Sequence, residues 1–328
     1  MKLDLIIPNL LTPPTAIADL PPCRLLELML ARSVISDAKT DYHSQLFSLL
    51  NIPVDTSPAW LSALADTCET SYSHWRADPV HFQAQSDHAL LRDSHSLNIT
   101  ADEAAQLVAA FNQHFAADGV QLFAATPQRW YLETQHLLNL KTTPITQAIS
   151  RNVRHFLPTG QDQVLWRKIL NETQMLFYAH AVNQQRESLG QLTVNSLWLW
   201  GEGCREWVKP VVSPILYANE IIAYGAAKFI NTTRKTVDDW KQHPAAGLLV
   251  IDDLVMAASY GDVEEWVCEF DRLCQHALPV IFNAMKSGKI KQINLYPADG
   301  RCFALTNRDF RKFWRGSKPV KHWMRHEN

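Results

Sequence analysis

The chain has 328 residues, 47% of them hydrophobic and 20% charged, the proportions of a folded globular protein with room for one large or two modest cores. A formal net charge of −2 argues against a chain devoted as a whole to nucleic acid or to an anionic membrane, and a count of eleven glycines against repeat or linker architectures. The six cysteines (Cys23, Cys68, Cys204, Cys268, Cys274 and Cys302) contain no CxxC pair, so they match neither a zinc site nor a small disulfide framework and read as reduced thiols of a cytoplasmic protein.

Residues 3–7 form an apolar run stopped by Pro8, a buried strand and too short for a membrane span. A proline-rich loop over 12–22 leads to a helix over 25–33, then helical pieces over 45–50 and 60–65. Strands are expected over 75–82 and 89–92. Thr100-Ala-Asp-Glu103 is a capping box, and the helix it opens runs to about residue 117 with Ala104, Leu107, Val108 and Phe111 on one face. Strands over 120–125 and 129–133 complete a β-β-α-β-β run. Residues 73–133 are therefore expected as an inserted α+β subdomain in an α/β core made of 1–72 and 134–328.

A helix over 163–179 follows, with Val164, Leu165, Ile169, Met175 and Leu176 at helical spacing, and then a strand over 195–200. The pattern continues with a helix over 217–230, a strand over 247–252, a long helix over 262–286 and a hairpin of 290–296 with 302–306 around Asp299-Gly300. A short basic, aromatic helix closes the chain. Helices alternating with apolar strands predict an α/β fold, a layered sheet flanked by helices.

Several groups of residues are candidates for chemistry. In VNSLWLWGEG a strand ends in Gly201-Glu202-Gly203, where glycines let backbone N–H groups approach a ligand at the strand's carboxyl end; a tight turn is the plainer alternative. Arg76 and Asp78 share a face of an extended strand, either as an ion pair or as an anion-gripping guanidinium steadied by its carboxylate. Asn183 and Arg186 follow the helix over 163–179 in a loop that either folds back over the same sheet or leaves them solvated, the plainer reading. His81, Asp87 and His88 are metal-ligand types without ligand spacing, and Asp252-Asp253 end an apolar strand, either as carboxylates at a sheet edge or as a helix cap. Basic residues interleaved with aromatics over 308–325 fit a docked helix with a solvated face better than a nucleic-acid surface.

Four blocks, RADPVH, ATPQRWYLE, NETQMLFYAHAVNQQRESLGQLTVNSLWLWGEG and DFRKFWRG, resemble in order and spacing a bacterial family of RpfE-type regulatory proteins, also labelled cofactor-independent phosphoglycerate mutase-like. More distantly the layout resembles archaeal-type phosphoglycerate mutase of the alkaline phosphatase superfamily. That resemblance implies a reduced alkaline-phosphatase-like fold with a substrate-binding insert, and anion-binding roles for Arg76, Asp78, Arg129, Asn183, Arg186, Gly201 and Gly203. It also implies a metal centre whose ligands this chain lacks. Where the mutases have a metal-binding Asp-Gly after the first strand, this chain has Asn9-Leu10, and their His-Asp-Gly-Asp corresponds to Ala258-Ser259-Tyr260-Gly261-Asp262. The later Asp-His motif and a clear nucleophilic serine have no counterpart.

The expectation is a degenerate mutase-like protein without metal or other cofactor, binding a phosphorylated small molecule or a protein partner in a regulatory role, with no nucleic acid and no membrane. The alternative is an active mutase or phosphohydrolase using a divalent metal such as manganese at a rearranged site.

Overall fold

The computed structural model describes residues 1–17, 19–66, 73–135, 138–204, 214–309 and 315–325. Its contacts divide the chain into two units, Met1–Thr56 with Glu206–Asn328, and Ser57–Arg205. The first begins with β1 (Lys2–Ile6), α1 (Arg24–Arg32), β2 (Val34–Asp37) and α2 (Tyr42–Leu50). The chain then builds the smaller unit from α3 (Pro58–Asp66), β3 (Ser73–Ala84), β4 (Ala89–Arg92), α4 (Ser94–Leu97), α5 (Ala101–His114), β5 (Val120–Thr126), β6 (Arg129–Thr134), α6 (Ile145–Ala148), α7 (Gln163–Tyr178), α8 (Ala181–Ser188) and β7 (Ser196–Trp200). It returns through β8 (Leu216–Tyr217), α9 (Ile221–Phe229), β9 (Arg234–Lys235), α10 (Val237–Gln242) and β10 (Gly247–Val250). The last elements are α11 (Leu254–Tyr260), α12 (Val263–Arg272), α13 (Leu278–Lys286), β11 (Gln292–Tyr296) and β12 (Arg301–Thr306). The fold is mixed α/β.

Among the described residues, seven strands of the larger unit form one sheet in the order β2-β12-β11-β1-β10-β8-β9. β1 pairs in parallel with β10 and β11, and β10 in parallel with β8; the β12 and β2 pairings are antiparallel. Parallel strands are covered on both faces, so the central ones read as unbroken apolar runs, and GLLV of β10 is buried throughout. Alternation sends Leu3, Leu5, Ile293 and Leu295 to one face, where they pack with Leu26 and Leu30 of α1, Trp266 and Phe270 of α12 and Ile281 of α13.

The expected helix over 262–286 is interrupted by a π-helical turn, Leu273–Ala277, in which the Leu278 N–H reaches back to the Leu273 carbonyl. Pro279 has no N–H to donate, so the ordinary ladder cannot run through this point. The expected helix over 217–230 is likewise shorter. Leu216–Tyr217 join the sheet as β8, and Glu220 caps α9 through the Ile222 and Ala223 N–H groups.

In the smaller unit β3 is the organising strand. Arg76–Val80 pair with β7, the segment after them with β4, and the segment before them with β6. The unit takes in more chain than the expected insert of 73–133, because β7 belongs to its sheet and brings α7 and α8 with it. The capping box forms as read: the Thr100 side chain accepts from the Glu103 N–H and Glu103 from that of Thr100.

The face of α7 is not the one expected. Trp166, Ile169, Leu170, Thr173 and Phe177 are buried, whereas Val164, Leu165 and Met175 are exposed. The buried set repeats at i, i+3, i+4, i+7 and i+11, and each large side chain it buries contributes roughly 1.5–3 kcal/mol. Two large aromatics therefore outweigh the smaller aliphatic stripe. Of the expected terminal helix, residues 310–314 lie outside the described residues. Arg315 and Arg325 are docked by hydrogen bonds to the carbonyls of Ser33 and Asp299.

Candidate functional site

The residues singled out in the smaller unit are built into it as internal cross-links. Arg76 and Asp78 lie on the same side of β3, and the guanidinium donates from Nε and a terminal nitrogen to one Asp78 oxygen at 3.0 and 2.6 Å. The other Asp78 oxygen accepts the Trp200 indole N–H at 2.7 Å. The same guanidinium stands over the rings of Trp200 and Tyr131, 5.1 and 5.6 Å from their centroids, and donates to the Ser62 hydroxyl at 3.2 Å. Ser62 is hydrogen-bonded to the Tyr131 hydroxyl, which donates to Asp66 at 2.6 Å. Asp66 in turn takes Arg129 in a two-point contact, both bonds 2.6 Å. Burial pushes the Tyr131 hydroxyl well up, so it remains a donor. The network alternates cation and anion from Arg129 to Trp200, and every charge in it is matched within it.

Asn183 and Arg186 form a second cluster. They lie on α8, not in a loop, and their i, i+3 spacing places both on its inner face, each 1% exposed. Asn183 bonds the Phe177 carbonyl and both backbone groups of Val194, fastening the end of α7 to the chain entering β7. Arg186 donates to both oxygens of Glu103, at 2.8 and 2.9 Å, and to the carbonyls of Leu192 and Leu97. Arg76, Arg129 and Arg186 thus each hold a carboxylate of this unit.

The VNSLWLWGEG stretch is a buried strand and its turn. Leu197 and Leu199 enter the core shared with α7, while the Trp198 and Trp200 indoles hydrogen-bond to the Thr143 carbonyl and to Asp78. Gly201 has φ +89°, and a Cβ there would lie 2.6 Å from the Ala59 Cβ. Its carbonyl accepts from the Ser57 hydroxyl at 2.6 Å, so the turn receives the start of α3. Gly203 also takes a positive φ, 146°, and Glu202 accepts from the Thr142 N–H and hydroxyl. Burial holds His81 below the ordinary imidazole range, and its Nδ1 lies 2.9 Å from the Thr193 carbonyl. His88 pairs instead with Asp87.

A different set stands at the carboxyl ends of the parallel strands in the larger unit, the edge where open α/β sheets place ligands. Asn9 follows β1 with φ +60°, Asn219 and Glu220 follow β8, and Asp252 and Asp253 follow β10. Glu220 accepts from the Ile222 and Ala223 N–H groups at 2.8 and 2.9 Å and from the Tyr42 hydroxyl at 3.3 Å. Burial nevertheless pushes its carboxyl up to about 7, and the Asp252 charge pushes the same way. Asp252 is itself raised, by burial and then by the charge of Asp253, and burial with the charges of Glu220 and Asp252 raises Tyr42 well above its ordinary range. Asp253 occupies the cap position of α11 without a side-chain cap bond.

Glu220 and Tyr42 did not stand out in the sequence. The available signal was an acid placed between a short apolar run and an apolar helix. As for a metal, no group of three or more His, Cys, Asp or Glu side chains among the described residues is arranged to hold one. The Asn9 amide, a neutral donor where the mutase resemblance implies an aspartate, is directed to Thr12. The donor set does not fit the metal centre implied by the mutase resemblance.

Comparison with known proteins agrees with this partial likeness. No family model matches the chain. It is 24% identical over 132 residues to the 2,3-bisphosphoglycerate-independent phosphoglycerate mutase of Methanosarcina mazei, 39% of this chain and 33% of that one. It is 26% identical over 121 residues to phosphoglycerate mutase 2 of Methanothermobacter thermautotrophicus, 36% of this chain and 30% of that one. The chain is a distant relative of these mutases. The match spans about a third of their length. The PH0037 protein of Pyrococcus horikoshii superposes with a TM-score of 0.52 at 11% identity, over 93% of this chain and 87% of that one, a likeness of fold. No helix among the described residues is long and apolar enough to cross a membrane.

Proposed function

We propose that this chain is a phosphoglycerate-mutase-like protein that binds rather than catalyses, in a regulatory role. What supports the reading is the donor set at the sheet's carboxyl edge: Asn9 stands where the mutase resemblance implies a metal-binding aspartate, and among the described residues no group of three or more His, Cys, Asp or Glu is arranged to hold a metal. The anion-binding part of the reading concerns Arg76, Arg129 and Arg186. A phosphorylated metabolite entering there has to displace Asp78, Asp66 or Glu103 from its arginine. A protein partner asks for no such displacement. Val164, Met175 and Tyr178, on one face of α7, are more than 70% exposed and offer it apolar surface.

Glu220, near 7 beside a raised Asp252, favours a second reading, acid–base or hydrolytic chemistry at this edge, with manganese as its expected metal. One experiment separates the two. Protein purified without a metal-affinity tag is assayed for bound metal by elemental analysis, and for turnover of 3-phosphoglycerate with added manganese. The binding-protein reading expects neither stoichiometric metal nor turnover. Stoichiometric metal with enzyme-like turnover, both lost in Asp252→Ala, would replace it with the second reading.

A further inference from the structure

The smaller unit leaves a groove along one edge of its sheet. Among the described residues β5 is paired with β6 on one side and with no strand on the other. α5 runs beside that open edge, and the space between them is a cavity of about 510 Å³. Ala101, Ala105, Val108 and Ala109 stand on its helical wall, and the chain from Leu122 to Pro127 forms the strand wall. Six of the lining residues are alanines and none is charged, so the groove has room for small side chains and offers a charged one no counter-ion. From Ala101 to Asn112 the helix rises about 16 Å, the length of about five residues of extended chain.

Asn112, at one end of the groove, shows what chemistry the open edge accepts. Its Oδ1 accepts from the Leu122 N–H at 2.7 Å and its Nδ2 donates to the Leu122 carbonyl at 2.8 Å. A carboxamide bonded in this way to both main-chain groups of one strand residue stands in for the peptide groups of a neighbouring strand. It also shows that Leu122 turns its main chain away from β6. By the period of two, Ala124 turns its N–H and carbonyl to the same edge, and among the described residues neither has a partner outside β6. A bulge between Ala124 and Thr126 ends the regular edge there. The strand itself, VQLFAAT, carries none of the charged residues with which edge strands usually resist pairing.

We infer that the groove between α5 and β5 binds an extended, uncharged peptide segment of a partner protein, which adds to β5 as a further strand of the sheet. The segment displaces the Asn112 carboxamide, takes over its two bonds at Leu122 and makes two more at Ala124. Its main chain supplies the attraction to the strand wall, and its alternate side chains, turned toward α5, have to be small. The inference goes beyond the binding-protein reading and does not depend on it: a chain that turned over substrate at the larger unit's sheet edge would present the same groove.

The test pans the full chain against a display library of random seven-residue peptides and titrates a fluorescent copy of an enriched sequence. The expected sequence is uncharged over about five positions, with small residues at alternate ones. Methylating the peptide nitrogens that face β5 removes two donated bonds and should weaken binding about tenfold, whereas methylating the other set should not. The Ala124 amide should gain protection from hydrogen exchange when the peptide binds. Ala105→Trp, at an exposed position on the helical wall, should abolish binding by filling the groove. Asn112→Ala, which removes the competing carboxamide, should tighten it several-fold. The proposal is overturned if no sequence is enriched, if enriched peptides bind Ala105→Trp as tightly as the parent, or if the two methylated series bind alike. A concentration-dependent dimer that Ala105→Trp abolishes would assign the groove to a second copy of the chain and overturn it equally.

Discussion

Arg76 and Asp78, two positions apart on β3, close on each other at 2.6 Å, and Trp200 from the neighbouring strand satisfies the carboxylate oxygen that Arg76 leaves over. Both are at least nine-tenths buried, so the pair acts as a cross-link of the sheet. Removing one partner strands the other charge out of water, at a cost of roughly 3–5 kcal/mol. Asp78→Ala is expected to lose that much by urea unfolding, while Arg76→Met with Asp78→Leu should lose less than either single change. An Asp78→Ala protein of undiminished stability would return Arg76 to the list of ligand-binding residues.

Gly201 allows a test of the turn after β7. At φ +89° a side chain is strained, and its Cβ would press on Ala59 at 2.6 Å. Gly201→Ala should therefore cost roughly 2–4 kcal/mol from strain and overlap together. Gly190 supplies the control: its φ is +69° with nothing within 4 Å, so Gly190→Ala should cost on the order of 1 kcal/mol. Equal losses in the two variants would mean that the contact with α3 contributes nothing.

The Arg76–Asp78 pair was legible because a strand has a period of two, and the capping box because it is wholly local. Asn183 and Arg186 were legible as a pair but not as members of a helix, and only α8 explains why both point inward. Apolar spacing alone does not give the buried face of α7, which the size of Trp166 and Phe177 decides. Glu220 is legible as a helix cap but not as a perturbed acid. Its hydrogen-bond partner Tyr42 lies 178 residues earlier, and the charge that raises it further belongs to Asp252 on another strand's end. Long-range electrostatics of this kind leave no trace in local pattern.

Glu103 has two structural duties, closing the capping box on Thr100 and neutralising Arg186. Thr100→Ala removes only the first and should cost about 1 kcal/mol. Glu103→Ala removes both and leaves an Arg186 whose side chain is 2% exposed without its carboxylate, so a loss of roughly 3 kcal/mol or more is expected. Glu103→Gln, which keeps a capping acceptor, should fall between them. Unfolding by urea ranks the three, and a Glu103→Ala loss no larger than that of Thr100→Ala would mean that the Arg186 pairing adds no stability.

The Glu220 carboxyl gives a pH dependence with a definite sign. Its folded value, about 7, lies above the ordinary 4.5, so the folded state holds the proton more tightly than the unfolded chain. The stability this group contributes is fully present below about pH 4.5 and is lost as pH rises through about 7, a change on the order of 3 kcal/mol at 1.36 kcal/mol per unit. Glu220→Gln cannot ionise, and it keeps one acceptor oxygen where Glu220 uses Oε1 for the Ile222 N–H and Oε2 for the Ala223 N–H and the Tyr42 hydroxyl. The stability of the variant relative to the parent should therefore rise between acid pH and pH 8 by an amount approaching that figure. Urea midpoints measured across this range decide it. Parallel profiles for parent and variant would show that Glu220 titrates like an exposed acid, and the second functional reading would lose the group on which it depends.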